Sequence, residues 1–384
     1  MLRFNNYILV LLLLCLVLSS LKAQTGQSFE NLIQKKVDSL QQTHQFPGVT
    51  FSAILPTGEQ ITIASGIADS LSRKQMKRNH RMLSGSNGKT LFVAAALMLA
   101  SKNYFKIDDK ISLYLKDEKW FSRLPNSETI TIRMLMNHTS GIEEYYGLGN
   151  FMSLVKDDPK RTFTPFETFK YVLDRKALFE AGSKWSYSDT NFILLAYIME
   201  KISGKKMYQI IENEIIKPYK LTFTEPSTKM SFKNLAIGYG RKKSPFPFVG
   251  AMVKNGQLVF NPQFEWAGGG FISNVQDLAK WSKILYSLKG IDDKILSEMR
   301  IQTPANTGKN HAYGFGIQIR PSEFGFTYGH SGWFPGYLTD AVYIPDANIS
   351  LAIQFNTDDL SKLKMSPYDY LQLLAKFILN TKNN

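Results

Sequence analysis

A serine and a lysine three residues apart, Ser86-Asn87-Gly88-Lys89, stand directly before the apolar stretch Leu91 to Ala100. On a helix this spacing puts hydroxyl and amine on one face within hydrogen-bond reach, the geometry of an activated serine nucleophile. Unpaired backbone N–H groups and the positive end of the helix dipole would favour negative charge developing at Ser86. Ser-x-x-Lys also begins at Ser19, Ser153, Ser203 and Ser361, so the pattern alone is weak. A phosphate-binding loop ending in Gly88-Lys89-Thr90 is a competing reading, but Leu83 occupies the position of its first glycine, which removes the tight turn.

Two later groups could act with the serine. Trp185-Ser186-Tyr187-Ser188-Asp189 precedes an apolar helical stretch, so Tyr187 is expected on a loop held by packed structure. A phenolate can take a serine proton if nearby cations such as Lys89 lower its pKa from about 10. Tyr328-Gly329-His330-Ser331-Gly332-Trp333 offers a short polar group between small residues, feeding into a strand. His330 could supply a cation or a hydrogen bond there, and the Trp333 N–H could join that of Ser86 as an oxyanion hole. His138, in Asn137-His138-Thr139-Ser140-Gly141, reads as part of a helix end rather than a triad member. The glycines at 268 to 270 read as a close-packed turn. The five histidines show no ligand spacing, so neither metal nor cofactor is implied.

The elements that must carry these groups follow from periodicity. Leu91 to Ala100 is apolar on every side and too short to cross a bilayer, so it reads as the central helix of a globular core. Phe29, Leu32, Ile33, Val37 and Leu40 keep helical spacing after a Ser28 cap, and Val49 to Leu55 with Gln60 to Ala64 form a hairpin around Pro56-Thr57-Gly58. Helical patterns dominate the middle, at Thr131 to Asn137, Phe166 to Leu178 and Asn191 to Ile202. Strand signals return at Phe315 to Ile319, Leu338 to Ile344 and Ile349 to Phe355, before a last helix opened by Ser366-Pro367. The expected class is α+β: a mostly antiparallel sheet built from both chain ends and flanked by helices, with an inserted, mainly helical lobe. The sheet lobe would hold about 24–85 and 264–384, and the helical lobe about 86–263.

Residues 1–23 resemble a secretory signal, with Arg3, an apolar run from Tyr7 to Leu18 and Ala23 before Gln24. A retained membrane anchor is the alternative. The only cysteine, Cys15, lies in this segment, and Leu12-Leu13-Leu14 before it does not suit lipidation, so the mature chain is expected without thiols. A catalytic unit over 24–384, periplasmic or secreted, follows. Formal net charge is +14, which favours weak contact with an anionic envelope surface. The cluster Arg73, Lys74, Lys77, Arg78 and Arg81 has no interleaved aromatics, so it reads as a solvated loop and not as a nucleic-acid site. Oligomeric state is not encoded in any of these patterns.

Taken in order, Ser86-x-x-Lys89, Tyr187-Ser188-Asp189 and His330-Ser331-Gly332 resemble the three motifs of the serine β-lactamase and penicillin-binding-protein family. The branch they resemble holds the class C β-lactamases, D-alanyl-D-alanine carboxypeptidases and esterases. The likeness runs from about Pro47 to Asn356 and includes Thr129 to Arg133, His138 to Gly141 and Ala267 to Ser273. It implies the β-lactamase/transpeptidase fold and an acyl-enzyme on Ser86. Lys89 and Tyr187 would exchange protons, while Asp189, His330, Ser331, Gly332 and Trp333 would bind a small-molecule or peptide substrate. Two departures bear on substrate: Asp189 stands where many relatives carry Asn, and His330 where many β-lactamases carry Lys. A carboxylate accepts but cannot donate to a substrate amide. These departures point toward a carboxypeptidase, peptidase or esterase more than an efficient β-lactamase. A non-catalytic binding protein of the same fold is the alternative, against which the intact Ser86, Lys89 and Tyr187 set argues.

Overall fold

In a computed structural model the structure describes residues 29–287 and 297–383. The proposed signal segment and the Ser28 cap lie outside these residues. Helix α1 covers 29–44, with Ile33 and Val37 buried on one face as their spacing requires. Three strands follow, β1 (Gly48–Ile54), β2 (Gln60–Asp69) and β3 (Lys74–Gln75), then α2 (Lys89–Ser101) and α3 (Asp189–Ser203) in the middle of the chain. Helix α4 (Val275–Tyr286) leads into β4 (Ala312–Tyr313), β5 (Gln318–Ser322), β6 (Gly325–Phe334), β7 (Tyr337–Ile344) and β8 (Ile349–Phe355), and α5 (Pro367–Asn383) ends the chain.

These strands form one antiparallel sheet in the order β4-β5-β6-β7-β8-β1-β2-β3. The first and last long strands are neighbours, with Val49 opposite Phe355 and Phe51 opposite Ile353. Alternation decides what each face receives. Val49, Phe51, Leu351, Ile353 and Phe355 pack with α1 and α5, burying Leu371, Leu374 and Ile378 of the latter. On the other face small residues let α4 approach closely: Ala341 and Ala352 meet Val275, Leu278 and Ala279, and the Ser350 hydroxyl donates to the Ala279 carbonyl at 2.6 Å.

The expected α+β arrangement is the one observed. Helix α2 is buried from Lys89 through Leu97 and belongs to a second core made largely by the residues between the sheet segments. Three expectations need correction. The pattern over Phe166 to Leu178 yields only a helix at Pro165–Phe169, opened by a Thr164/Glu167 capping box, and a single 3-10 turn to Val172. Asp174 then takes a positive φ of 62°, which a helix does not accommodate. Phe315 and Gly316 are not strand: Gly316 turns at φ 60° against Val93, so β5 starts at Gln318. Arg81 is not part of the solvated basic loop; it is buried and its guanidinium is 2.8 Å from Glu225.

Candidate active site

Gly85–Gly88 forms a 3-10 turn that runs straight into α2, so Ser86 sits at the mouth of the buried helix while its neighbours are packed. The turn is pinned against β6. The Asn87 amide donates to the His330 carbonyl at 2.7 Å, and Gly332 lies so close that a Cβ there would stand 1.9 Å from the Ser84 carbonyl oxygen. Gly85 needs glycine twice over, because its φ is 52° and a Cβ would reach 2.5 Å from the Trp333 carbonyl. The expectation that His330 precedes a strand is corrected here: the whole Tyr328 to Trp333 motif lies inside β6. The Ser331 N–H donates to the Gln318 side chain on the β5 side, where pairing ends at Gln318 opposite Gly329. By the alternation of an antiparallel strand, the Trp333 N–H faces the same open edge, toward the Ser86 turn.

The structure brings the Lys89 ammonium into a full set of acceptors. It donates to Ser86 Oγ at 3.1 Å, to Asp189 Oδ1 at 2.5 Å and to the Gly268 carbonyl. With three protons and three acceptors, Lys89 is saturated as a donor, so the Ser86 hydroxyl proton is free to point elsewhere. Asp189 is the first residue of α3, where a carboxylate also complements the helix dipole, and its own N–H donates to Glu144 Oε2 at 2.7 Å. Asp189 is therefore the counter-ion of Lys89, a role its place in the motif did not announce.

Tyr187 stands beside this set, with Lys89 Nζ 4.9 Å from its ring centroid. Its hydroxyl is buried and closes no hydrogen bond of good geometry, although the Ser86 side chain is close enough to favour the ionised form. The expected lowering of its pKa is not found. Burial first, and the Asp189 carboxylate second, push Tyr187 well above the ordinary phenol range.

His330 is likewise not a cation. It is buried, and burial together with Lys89 lowers its pKa to about 3. The hydrogen bonds assign its tautomer. At His138, Nδ1 receives the Ser188 N–H at 3.3 Å and faces the Asn191 amide at 3.2 Å, so it is the acceptor and Nε2 carries the proton. That Nε2 donates to Tyr313 Oη at 3.2 Å, and Tyr313 donates onward to His330 Nε2 at 2.8 Å. His330 therefore keeps its single proton on Nδ1, which faces the Ser331 carbonyl at 2.5 Å. Two neutral imidazoles bridged by Tyr313 support Tyr187 from behind, the His138 ring lying 4.3 Å from the Tyr187 ring between centroids.

A cleft of about 350 Å³ opens over Ser86. Tyr187, Asp189, His330, Ser331, Gly332 and Trp333 all line it. Lys89 lies beneath, with its side chain fully buried. The Ser331 hydroxyl is turned into a structural network: it donates to Asp340 Oδ2 at 2.7 Å and accepts from Arg320, whose guanidinium is held bidentately by Asp340. Sequence reasoning missed Tyr313, Gln318, Glu144 and Glu265, all outside the three motifs. The loops Glu143 to Phe151 and Arg241 to Val249, which the sequence offers as pocket walls, supply Tyr145, Tyr146 and Phe246 of an aromatic wall; Phe264, its fourth member, lies outside both and was missed. The run Glu143-Glu144-Tyr145-Tyr146 was the one available signal, because two acids beside two aromatics are unusual for a plain connecting loop.

Comparison with known proteins agrees with this geometry. The family model described as Beta-lactamase matches residues 29–375. A putative penicillin-binding protein, PbpX, of Bacillus subtilis (strain 168) is 27% identical over 330 residues, covering 82% of this chain and 73% of the relative. A D-aminopeptidase of Brucella anthropi is 24% identical, covering 83% of this chain but 58% of its own length. Among solved structures, a D-stereospecific amidohydrolase from Streptomyces sp. superposes with a TM-score of 0.73 at 26% identity, over 86% of this chain and 96% of that one. The chain belongs to the β-lactamase family of serine hydrolases.

Proposed function

We propose that the protein is an exported amidohydrolase that cleaves small amides, and related esters, through an acyl-enzyme on Ser86. The observation that carries the reading is the Lys89 ammonium joined to Ser86 Oγ and neutralised by Asp189 under an aromatic cleft. In the reactive form Tyr187 is a phenolate, its own proton released to solvent; Ser86 Oγ attacks the substrate carbonyl, and its proton passes to Tyr187 Oη to give the neutral phenol. Before the transfer the phenolate charge is balanced by Lys89, whose Nζ lies 4.9 Å from the Tyr187 ring centroid. The carbonyl oxygen becomes an oxyanion held by the N–H groups of Ser86 and Trp333, and Tyr187 returns the proton to the leaving nitrogen. Water then releases the acid by the same steps in reverse order.

Two features favour an amide with an uncharged or cationic acyl part over a carboxypeptidase or β-lactamase substrate. His330 is neutral, so the site lacks the fixed cation that would attract a substrate carboxylate, and Asp189 can only accept hydrogen bonds while it is ionised. The names of the relatives, a D-aminopeptidase and a D-stereospecific amidohydrolase, support D-configured aminoacyl substrates. Export rests on Arg3, the apolar run and Ala23 before Gln24.

The test is a hydrolysis panel of D- and L-phenylalaninamide, p-nitrophenyl butyrate, nitrocefin and an acyl-D-Ala-D-Ala peptide, run on wild type and Ser86→Ala. The D-amide and the ester should be turned over, with loss of turnover and of fluorophosphonate labelling in the variant. Turnover that survives Ser86→Ala, or a clear preference for the D-Ala-D-Ala carboxylate, overturns the reading.

A further inference from the structure

The mechanism leaves one buried ionisable group at the cleft without work. Glu265 is only 6% exposed, yet it lines the cleft beside Asp189. Its Oε2 accepts the Gly270 N–H at 3.0 Å, while Oε1 receives no hydrogen bond among the described residues. Asp189 is similar: Oδ1 is taken by Lys89, and Oδ2 receives no hydrogen bond among the described residues. The two free oxygens flank Gly268 and Gly269. A Cβ on Gly268 would stand 2.9 Å from Asp189 Oδ2, and one on Gly269 would stand 2.1 Å from Glu265 Oε1 and 2.4 Å from the Gly85 carbonyl, next to Ser86. The backbone here is strained, since Trp266 adopts φ 40° and ψ −115°, a conformation L-residues rarely occupy.

Acceptors without donors, at the edge of an apolar cleft, are matched by a ligand that brings several N–H donors and a positive charge. Resting on the amidohydrolase reading above, we propose that Asp189 Oδ2 and Glu265 Oε1 are the recognition point for a primary ammonium on the acyl part of the substrate. The cleft thereby selects free aminoacyl amides against N-acylated ones, which bring no positive charge to this pair. The aromatic wall of Tyr145, Tyr146, Phe246 and Phe264 then takes the hydrophobic side chain of the same residue.

Binding should move a proton. Glu265 is faced by Lys89 of α2, Asp189 of α3, Tyr145 of the 137–150 segment and Tyr208 of the helix Met207–Ile211. Burial, and secondarily Asp189, push its pKa up to about 8, so at neutral pH its carboxyl is largely protonated in the free protein. An ammonium docked on it favours the carboxylate, and the carboxyl proton leaves to solvent: neutral Glu265 plus R–NH3⁺ gives the ion pair plus one H⁺.

The experiment compares D-phenylalaninamide, N-acetyl-D-phenylalaninamide and 3-phenylpropionamide on wild type, Glu265→Gln and Asp189→Asn. Binding of D-phenylalaninamide is measured separately by calorimetry in a Ser86→Ala background, in buffers of differing ionisation enthalpy. Glu265→Gln should lower kcat/KM for the free amine by about 10- to 100-fold, mainly through KM, the scale of one lost charged hydrogen bond. The loss for 3-phenylpropionamide should be several-fold smaller. Asp189→Asn, which can donate, should shift the remaining preference toward the N-acetyl amide. Calorimetry should show proton release that Glu265→Gln abolishes. Equal losses on all three amides, or binding without proton release, overturn the proposal while leaving the hydrolase reading intact. Absence of Ser86-dependent turnover on every amide and ester overturns the hydrolase reading, and calorimetry still decides whether the ammonium is recognised.

Discussion

The neutrality of His330 can be measured as acid sensitivity. Its pKa falls from 6.5 to about 3 on folding because burial and Lys89 penalise the imidazolium. A group whose folded pKa is depressed contributes stability above its unfolded pKa and loses it as pH falls toward the folded value. Between pH 7 and pH 5 the unfolded chain binds the His330 proton and the folded chain does not, which costs about 2 kcal/mol, or roughly a 30-fold change in the folded-to-unfolded ratio. Other groups titrate in the same window, so the contribution must be isolated by difference. Glutamine at 330 has no proton to gain. Urea unfolding of wild type and His330→Gln at both pH values should therefore show wild type losing about 2 kcal/mol more than the variant on acidification. The variant starts lower, having lost the imidazole packing against Tyr313, but only the pH-dependent difference carries the argument. If both proteins lose the same amount, His330 titrates near its ordinary value in the fold, and the claim that the cleft lacks a cation on β6 fails with it.

Two further outcomes test the scaffold and the location. Gly332→Ala places a Cβ 1.9 Å from the Ser84 carbonyl and 3.2 Å from the Asn87 nitrogen, both backbone atoms. The strand and the Ser86 turn must separate, and kcat should fall on the order of 100-fold while the circular dichroism stays that of a folded protein; unchanged kcat would mean the turn is not positioned by β6. Mass spectrometry of the exported protein should find its N-terminus near Gln24, whereas full-length chain retained in membranes would favour the anchor.

Local pattern was enough for the parts of this protein whose structure is set by neighbours in sequence. The hairpin around Pro56-Thr57-Gly58 and the β7–β8 pair follow from alternation and turn chemistry; observed strands at Gly48–Ile54, Tyr337–Ile344 and Ile349–Phe355 keep close to the predicted limits, while β2 runs past the expected end at Ala64 to Asp69. The all-apolar stretch after Lys89 could only be a buried helix, and so Ser86 and Lys89 were found together three residues apart, joined at 3.1 Å. Order of motifs along the chain was enough to suggest that Tyr187 and His330 meet them.

What those residues do was decided by the tertiary environment, because charge state depends on burial and on partners far away in sequence. His330 and Tyr187 carry ordinary reference values in a linear reading, yet one is kept neutral by burial and the nearby Lys89 and the other is pushed up instead of down. Asp189 reads as a substrate contact in the motif, and the structure adds a role the motif does not show, the counter-ion of Lys89, a pairing 100 residues apart. Glu265 had no motif to draw attention to it. Its position at the cleft depends on a kink at Trp266 and on the absence of a side chain at Gly269, and such close approaches leave no periodic trace in a sequence.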